Sequence, residues 1–306
     1  MSAQGHQVPA QSMKITKIKE QIGAIVTDID LAQPVDIETR KRLYDAAVEN
    51  VVLVIRGQAH LTPAQLQAAG ELFGELMEDQ NRLYLVDGYP LISVLDNFHK
   101  DSNGQPAKPG KNATWHTDHT NQELPPKFTM LYAVAVPDKG GATSVCNSRA
   151  AYEALPSELR QRITGMQTEN TLISSARFHI ANPDILKAQL ESRKPPTVHP
   201  LVRTHPETGT KALWFHKSKT EKVTGMTPEE TQDFLQDLTD RITQPHFCYA
   251  HEYQKGDLLI IDDRASLHKA GHDLDHSQQR RLYRMLVRGD RPKRTNLHDL
   301  CRRPLL

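Results

Sequence analysis

Three pairs of the form His-x-acid stand in this chain: His99/Asp101, His116/Asp118 and His205/Glu207. Each could supply two ligands to one metal ion. The 306 residues hold 15 His and 37 Asp plus Glu, so composition alone yields about as many such pairs, and only local context can separate them. His99/Asp101 opens a Gly/Pro/Lys/Asn loop, and His205-Pro206-Glu207 sits in a turn. His116/Asp118 alone lies in a stretch that reads as extended, residues 114–120. Along a strand, residues i and i+2 point to one face, whereas on a helix they diverge. Two His and one carboxylate on one face of an ion leave open neighbouring positions, the arrangement used for Fe(II) and O2 chemistry. His268, 150 residues beyond Asp118, is the candidate third ligand. Three other readings stay open: a satisfied structural histidine, zinc held by the same three side chains, and a His268/His272/His276 stripe at helical spacing. Gly271, Asp273, Asp275 and Ser277 read as loop and place that stripe at the surface.

A second candidate is cationic. Arg280, Leu282, Arg284, Leu286 and Arg288 share a face of one strand by the period of two. A buried guanidinium needs an anion, and its planar fork matches a carboxylate or sulfonate. The competing reading is an exposed edge on which arginine stems cover apolar surface. Residues 277–306 hold nine Lys/Arg against two Asp, the best case for nucleic-acid binding. Tyr283 is the one aromatic among them, and no DNA- or RNA-binding motif is present. A solvated basic tail or a subunit contact fits better.

These residues need elements to carry them. Strands are expected at 15–30, 51–55, 128–136, 201–204, 211–216, 247–253, 257–262 and 280–288, and helices at 36–50, from Thr62-Pro63 to Gly74, at 148–163 with a break at Pro156, and at 227–242. Strands dominate the second half, which predicts an α+β fold around an antiparallel sandwich. The expected organisation is a flexible stretch at 1–12, one domain at 13–292 and a basic tail at 293–306.

Composition removes several classes. Lys plus Arg is 38 against 37 acidic residues, a net charge of +1, so there is no bulk attraction to nucleic acid or anionic lipid. The longest apolar runs, such as 51–55 and 258–261, fall far short of the ~20 residues of a membrane span. No basic and then apolar run opens the chain. Cys146, Cys248 and Cys301 form no CxxC pair, so a reducing, cytoplasmic setting is expected. There is no GxSxG, GxGxxG or HExxH, and the Gly104–Lys111 run has the wrong spacing for a P-loop.

The combined motifs resemble a known family. Trp115-His116-Thr117-Asp118, Gly140-Gly141-Ala142-Thr143, Val202-Arg203-Thr204-His205-Pro206, the run from Gly256 through Asp262-Asp263-Arg264 to His268, and the run from Arg280 to Gly289-Asp290 are similar to those of the taurine dioxygenase and 2,4-dichlorophenoxyacetate dioxygenase family. The match is collinear over about residues 13–292. The resemblance implies a double-stranded β-helix (jelly-roll) core with flanking helices and insertions. It also implies an Fe(II)-dependent dioxygenase that uses 2-oxoglutarate and O2. It makes His116, Asp118 and His268 the iron ligands and Arg280, assisted by Thr143, the clamp on the distal carboxylate of 2-oxoglutarate. Arg284 falls where the acidic group of the substrate is held.

The departures from the family bear on substrate. Counting from Phe73-Gly74-Glu75-Leu76, Asp79 and Arg82 stand where the taurine enzyme has a His and a Tyr. Lys219 stands where it has a pocket Phe, and His119 directly follows Asp118. Many relatives carry Trp-Asp-Asn-Arg where this chain has Ile261-Asp262-Asp263-Arg264. The expected substrate is a small anionic molecule, such as a sulfonate, phosphonate, aryloxyalkanoate or amino-acid derivative, rather than taurine itself. One acidic group is expected on Arg284, with further polar contacts at Asp79, Arg82, His119, His216 or Lys219. A jelly-roll metal-binding protein and a zinc hydrolase with the same ligands are the alternatives. A homo-oligomer is compatible with all of them, and no nucleic-acid or membrane partner is expected.

Overall fold

The structure is a computed structural model that describes residues 12–80, 84–98, 114–172, 174, 194–271 and 273–294. The loop at 99–113, Arg82, His272 and the chain beyond 294 lie outside the described residues.

The first half carries β1 (Lys14–Lys17), β2 (Ala24–Thr27), α1 (Ile37–Asn50), β3 (Val52–Ile55), α2 (Pro63–Glu71), β4 (Leu76–Met77), β5 (Leu85–Val86), β6 (Tyr89–Asp96) and β7 (Pro126–Ala135). Next come β8 (Thr143–Asn147), α3 (Ser148–Glu153), α4 (Ser157–Ile163), β9 (Gln167–Asn170), β10 (Thr197–Pro200), β11 (Val202–Thr204), β12 (Lys211–Leu213) and β13 (Thr220–Val223). The chain continues through α5 (Pro228–Ile242), β14 (Cys248–His251), β15 (Leu258–Asp262), β16 (Ser266–Ala270) and β17 (Arg281–Arg288). A nine-stranded sheet runs β1-β2-β3-β15-β7-β17-β6-β5, with β4 on β17, and a three-stranded sheet runs β14-β8-β16. Two smaller sheets are β10-β9-β13 and β11-β12. Every named pair is antiparallel except β2–β3. The fold is therefore mixed, with sheets dominant and helices packed on them.

The helices form where the sequence provides caps. The Asp36 side chain accepts from the backbone N–H groups of Glu38 and Thr39 at the start of α1. Thr62 and Thr227 each make a capping box, with Gln65 and Glu230, and Pro occupies the first turn of α2 and α5.

The strand β15 shows how the core is built. All five residues are buried. Leu258 and Ile260 face a cluster with Leu43 and Leu66 of the helices, while Leu259 and Ile261 face Val52, Leu131, Val145 and Leu282 between the sheets. A strand covered on both faces reads as one unbroken apolar run. The same alternation sorts β17: Met285 and Val287 face the helix side, and Leu282 faces the layer between the sheets. Arg284 shares the parity of Leu282, so it points to that inner layer. Arg288 breaks the expected pattern. It is exposed at the last position of β17 and pairs with Glu75 across 3.0 Å.

Two further expectations are corrected. Residues 114–120 are not a strand: His116 makes isolated bridges to His216 and His268, and residues 118–120 turn. The turn is enforced by His119, whose φ of 51° ends the extended run. His268 does not merely follow a strand; it lies inside β16. At the C-terminal side, Thr204 pairs with Lys293 and Arg294 donates to the Gly165 carbonyl.

Past β15 the chain is anchored by charge. Asp262 accepts from Arg264 Nε at 2.8 Å and Nη2 at 2.7 Å and lies 3.1 Å from His205 Nε2, with all three side chains almost fully buried. Removing one partner of a buried pair leaves the other charge uncompensated. Asp262→Ala is expected to cost about 3–5 kcal/mol, read as a lower urea midpoint at unchanged slope.

Candidate active site

His116 and His268 are joined through their backbones: His116 N–H donates to His268 O at 3.0 Å, and His268 N–H donates to His116 O at 2.7 Å. Their rings lie 4.4 Å apart. His116 Nδ1 is 2.6 Å from the Thr114 carbonyl, which makes Nδ1 the donor and leaves the lone pair on Nε2. That Nε2 lies 3.6 Å from Asp118 Oδ1, and His268 Nε2 lies 4.0 Å from Asp118 Oδ2. One donor atom from each of His116, Asp118 and His268 falls within 4.8 Å of the others, and no other such cluster occurs among the described residues. Burial holds both imidazoles neutral, pushing His268 down to about 3 and lowering His116. For Asp118, burial alone would raise the pKa. The charges of His268, where it is protonated, and of Arg284 outweigh it and keep the carboxylate ionised. Two neutral imidazoles and one carboxylate form a donor set that suits a divalent transition metal.

Behind the cluster stands Asp263, a residue the motif reading had registered only as a departure from the family pattern. It is fully buried. Thr129 Oγ1 lies 2.6 Å from Asp263 Oδ2 and 2.8 Å from Asp118 Oδ2. A hydroxyl has one proton, so one of the two carboxyls must donate to it. Burial and the charge of Asp118 raise the Asp263 pKa well above the usual range, which makes Asp263 the donor. Its other oxygen, Oδ1, is 3.6 Å from His268 Nδ1, a buried nitrogen with no hydrogen-bond partner.

Arg280 lies beside β8. Its Nε donates to Gly141 O at 2.6 Å and its Nη2 to Thr143 Oγ1 at 3.3 Å, and the guanidinium sits 5.4 Å from the Tyr253 ring centre. Tyr253 OH is 2.8 Å from Thr143 Oγ1. Tyr253 was missed in the sequence, where nothing distinguishes it from other tyrosines. Gly141 has a φ of 69°, and a Cβ there would stand 2.8 Å from Arg280 Cδ, so only glycine permits this approach. Thr143 pairs with Ala270, and Val145 with His268, which puts Thr143 two residues from the ligand cluster along the same sheet. No carboxylate among the described residues pairs with Arg280, and its burial lowers its pKa.

Arg284 is different. It was expected to await an anion, but Asp79 already meets it. Asp79 Oδ2 accepts from Arg284 Nε at 2.9 Å and from Nη2 by a shorter bond, and Ser93 Oγ adds a third bond at 2.8 Å. His119 Nε2 stands 3.5 Å from Asp79 Oδ1. Arg284 Nη1 is 3.8 Å from Asp118 Oδ2, at the edge of the cluster. Lys219 also faces this space. Its Nζ donates to Asn121 Oδ1 at 3.0 Å, and burial lowers its pKa against the pull of Asp118. The His216 ring lies 4.6 Å from that of His116 and is held neutral by burial and by its histidine neighbours. The structure thus brings together His116, His119, Asp118, His268, Asp79, Arg284, His216 and Lys219, with Arg280 and Thr143 alongside. Arg82 lies outside the described residues.

Comparison with known proteins gives the family. The model of the taurine catabolism dioxygenase TauD, TfdA family matches residues 14–286. The chain belongs to this family. It is 30% identical over 291 residues to a protein named alkylsulfatase from Acinetobacter baylyi, covering 92% of this chain and 86% of that one. It is 33% identical to the α-ketoglutarate-dependent 2,4-dichlorophenoxyacetate dioxygenase of Cupriavidus pinatubonensis, covering 87% and 94%. Among solved structures, AAD-2 in complex with Mn(II) and N-oxalylglycine superposes with a TM-score of 0.74 at 27% identity, covering 92% of this chain and 99% of that one. As a member of the TauD/TfdA family, the chain is a dioxygenase, and its His-Asp-His cluster falls within the matched region. No helix among the described residues is long and apolar enough to cross a membrane.

The Asp263 contacts carry a prediction. An amide reproduces the donor and acceptor of a protonated acid, so Asp263→Asn is expected to keep the metal affinity within a few-fold. Asp263→Leu removes the support behind His268 and Asp118 and should weaken Co(II) binding by about 10–100-fold, measured by calorimetric titration.

Proposed function

We propose that this protein is an Fe(II)- and 2-oxoglutarate-dependent dioxygenase that oxidises a small organic anion, built on a double-stranded β-helix core. The observation that carries the reading is Arg280, a buried cation without a carboxylate partner among the described residues, hydrogen-bonded to Thr143 on the strand that pairs with His268. A zinc hydrolase with the same ligands has no use for such a group.

His116 Nε2, the Asp118 carboxylate and His268 Nε2 would hold the metal, and the remaining faces stay open for co-substrate and O2. The donor set fits a ferrous ion: both imidazoles are neutral and the carboxylate is ionised. A ferrous ion with 2-oxoglutarate supplies O2 activation coupled to decarboxylation to succinate and CO2. Arg280 takes the distal carboxylate of 2-oxoglutarate on its remaining N–H groups, and the Thr143 hydroxyl, positioned by Tyr253, adds a bond. Arg284 and Lys219 orient the acidic group of the substrate near the cluster, and His216 and His119 line the space between. The protein's part is positioning, charge and exclusion of water. The chemistry named for the relatives, on alkyl sulfates and aryloxyalkanoates, supports substrates of this kind.

The test is anaerobic addition of Fe(II) and 2-oxoglutarate, followed by a succinate-release screen under O2. A visible charge-transfer band is expected for the wild type and its loss for Arg280→Ala, with a KM for 2-oxoglutarate raised at least about tenfold, since a charge-assisted bidentate contact contributes about 1.5–3 kcal/mol. Sulfonates, sulfate esters, aryloxyalkanoates and amino-acid derivatives form the panel. A band that survives Arg280→Ala unchanged, or efficient turnover of taurine alone, would overturn the assignment of the clamp or of the pocket respectively.

A further inference from the structure

Two cysteines that take no part in the candidate active site lie opposite one another. Cys146 of β8 and Cys248 of β14 are direct cross-strand partners, and both are free thiols. In an antiparallel ladder, opposed residues alternate between pairs that exchange backbone hydrogen bonds and pairs that do not, and the second kind stand closer. Asn147 N–H donates to Phe247 O at 2.9 Å, so the next pair along, Cys146 with Cys248, is of the second kind. The Cα separation usual for such a pair, about 4.5 Å, falls inside the range of about 4.4–6.8 Å that a disulfide spans. The side chains also share a face. Cys146 and Cys248 both pack into the cluster with Leu267 and Phe247, whereas Val145 and Tyr249 face the layer between the sheets. His268 is opposite Val145, so it lies on the other face of β8 and β16 from the cysteines.

The two sulfurs differ in a way that suits sequential chemistry. Cys146 is fully buried, with Sγ 3.1 Å from the Ile242 carbonyl. Cys248 is half-buried on β14, an edge strand of its sheet. Lys19 Nζ donates to the Cys248 carbonyl at 2.7 Å. Hydrogen bonding from the Cys146 thiol, then the charges of Lys19 and Lys269, lower the Cys248 pKa against burial. The same contact and burial raise that of Cys146. An accessible thiolate above a buried thiol is the arrangement of an attacking and a resolving cysteine.

We infer that Cys146 and Cys248 are a peroxide-reactive dithiol that closes reversibly to a disulfide between β8 and β14. The Cys248 thiolate attacks one oxygen of hydrogen peroxide, the O–O bond breaks, and the departing hydroxide is protonated to water. Cys248 is then a sulfenic acid. The Cys146 sulfur attacks the Cys248 sulfur, the S–O bond breaks, and the hydroxyl leaves as water with the Cys146 proton. Two thiols are oxidised and one peroxide is reduced to two waters. The site uses no metal ligand and stands apart from the reading of the His-Asp-His cluster.

The full chain, held with EDTA so that no iron-derived radical forms, is treated with a few equivalents of hydrogen peroxide and mapped by peptide mass spectrometry without reduction. A Cys146–Cys248 cross-link is expected, about 2 Da lighter than the two thiol peptides together and fully reversed by dithiothreitol. Cys301→Ser should leave it unchanged. Cys146→Ser should stop at the Cys248 sulfenic acid, trapped as its dimedone adduct, and Cys248→Ser should slow oxidation of Cys146 at least about tenfold. If Cys146→Ser fails to fold, the wild-type map decides alone. A link from Cys248 to Cys301 overturns the inference, as does oxidation of either cysteine to its sulfinic acid with no link between them. So does a folded chain whose two thiols stay intact under peroxide that oxidises them in urea.

Discussion

The site depends on a short reciprocal bridge. His116 and His268 exchange two backbone hydrogen bonds, of 3.0 and 2.7 Å, between segments about half the chain apart. Neither side chain is drawn to the other by charge, since burial leaves both imidazoles neutral. The backbone brings them together, and the rings are then obliged to lie side by side. His116 also bridges to His216 on its other side, so the segment that carries Asp118 is gripped from two directions although it is not a strand. Thr117 completes the grip, with its Oγ donating to Asp263 O at 2.8 Å. This explains how a turn at residues 118–120, with a left-handed His119, can hold a carboxylate in place as well as a regular strand would.

Three consecutive residues at the end of β15, Asp262 to Arg264, divide the electrostatic labour. Asp262 and Arg264 turn toward His205 and Glu207 and anchor the fold. Asp263, between them, turns the other way and meets Thr129 behind the cluster. The turn at 263–264, between β15 and β16, permits both directions at once. It also allows the two acids different protonation: Asp262 stays ionised beside Arg264, while Asp263 is held protonated by burial and by Asp118.

Much of the fold was legible because caps and periodicity are local. Thr62-Pro63 and Thr227-Pro228 mark helix starts by chemistry that acts within one turn, and β15 announces itself as an unbroken apolar run. The candidate ligands were legible as residue types, and the family motifs ordered them. What sequence patterning could not provide were long-range partners. The strand around His268 was missed because Ser266 to Ala270 is short and mixed, and its identity comes from pairing with β8. The expected strand at 114–120 failed for the converse reason, since its order is imposed by neighbours and not by propensity. Tyr253, Thr129 and Ser93 acquire roles only through contacts 110, 11 and 14 residues away.

The fold meets its two inner arginines, Arg280 and Arg284, in different ways. A guanidinium buried without a counter-ion is costly, and the fold offsets this cost at Arg280 only in part, with the Gly141 carbonyl, the Thr143 hydroxyl and the face of Tyr253. None of these is an anion, so a carboxylate arriving there gains the full charge-assisted bond. At Arg284 the protein supplies the anion itself. On the proposed function, the first arrangement would serve tight retention of the co-substrate. Arg280, just before β17, and Arg284 within it are thus met in different ways, one by a carbonyl, a hydroxyl and a ring, the other by a carboxylate.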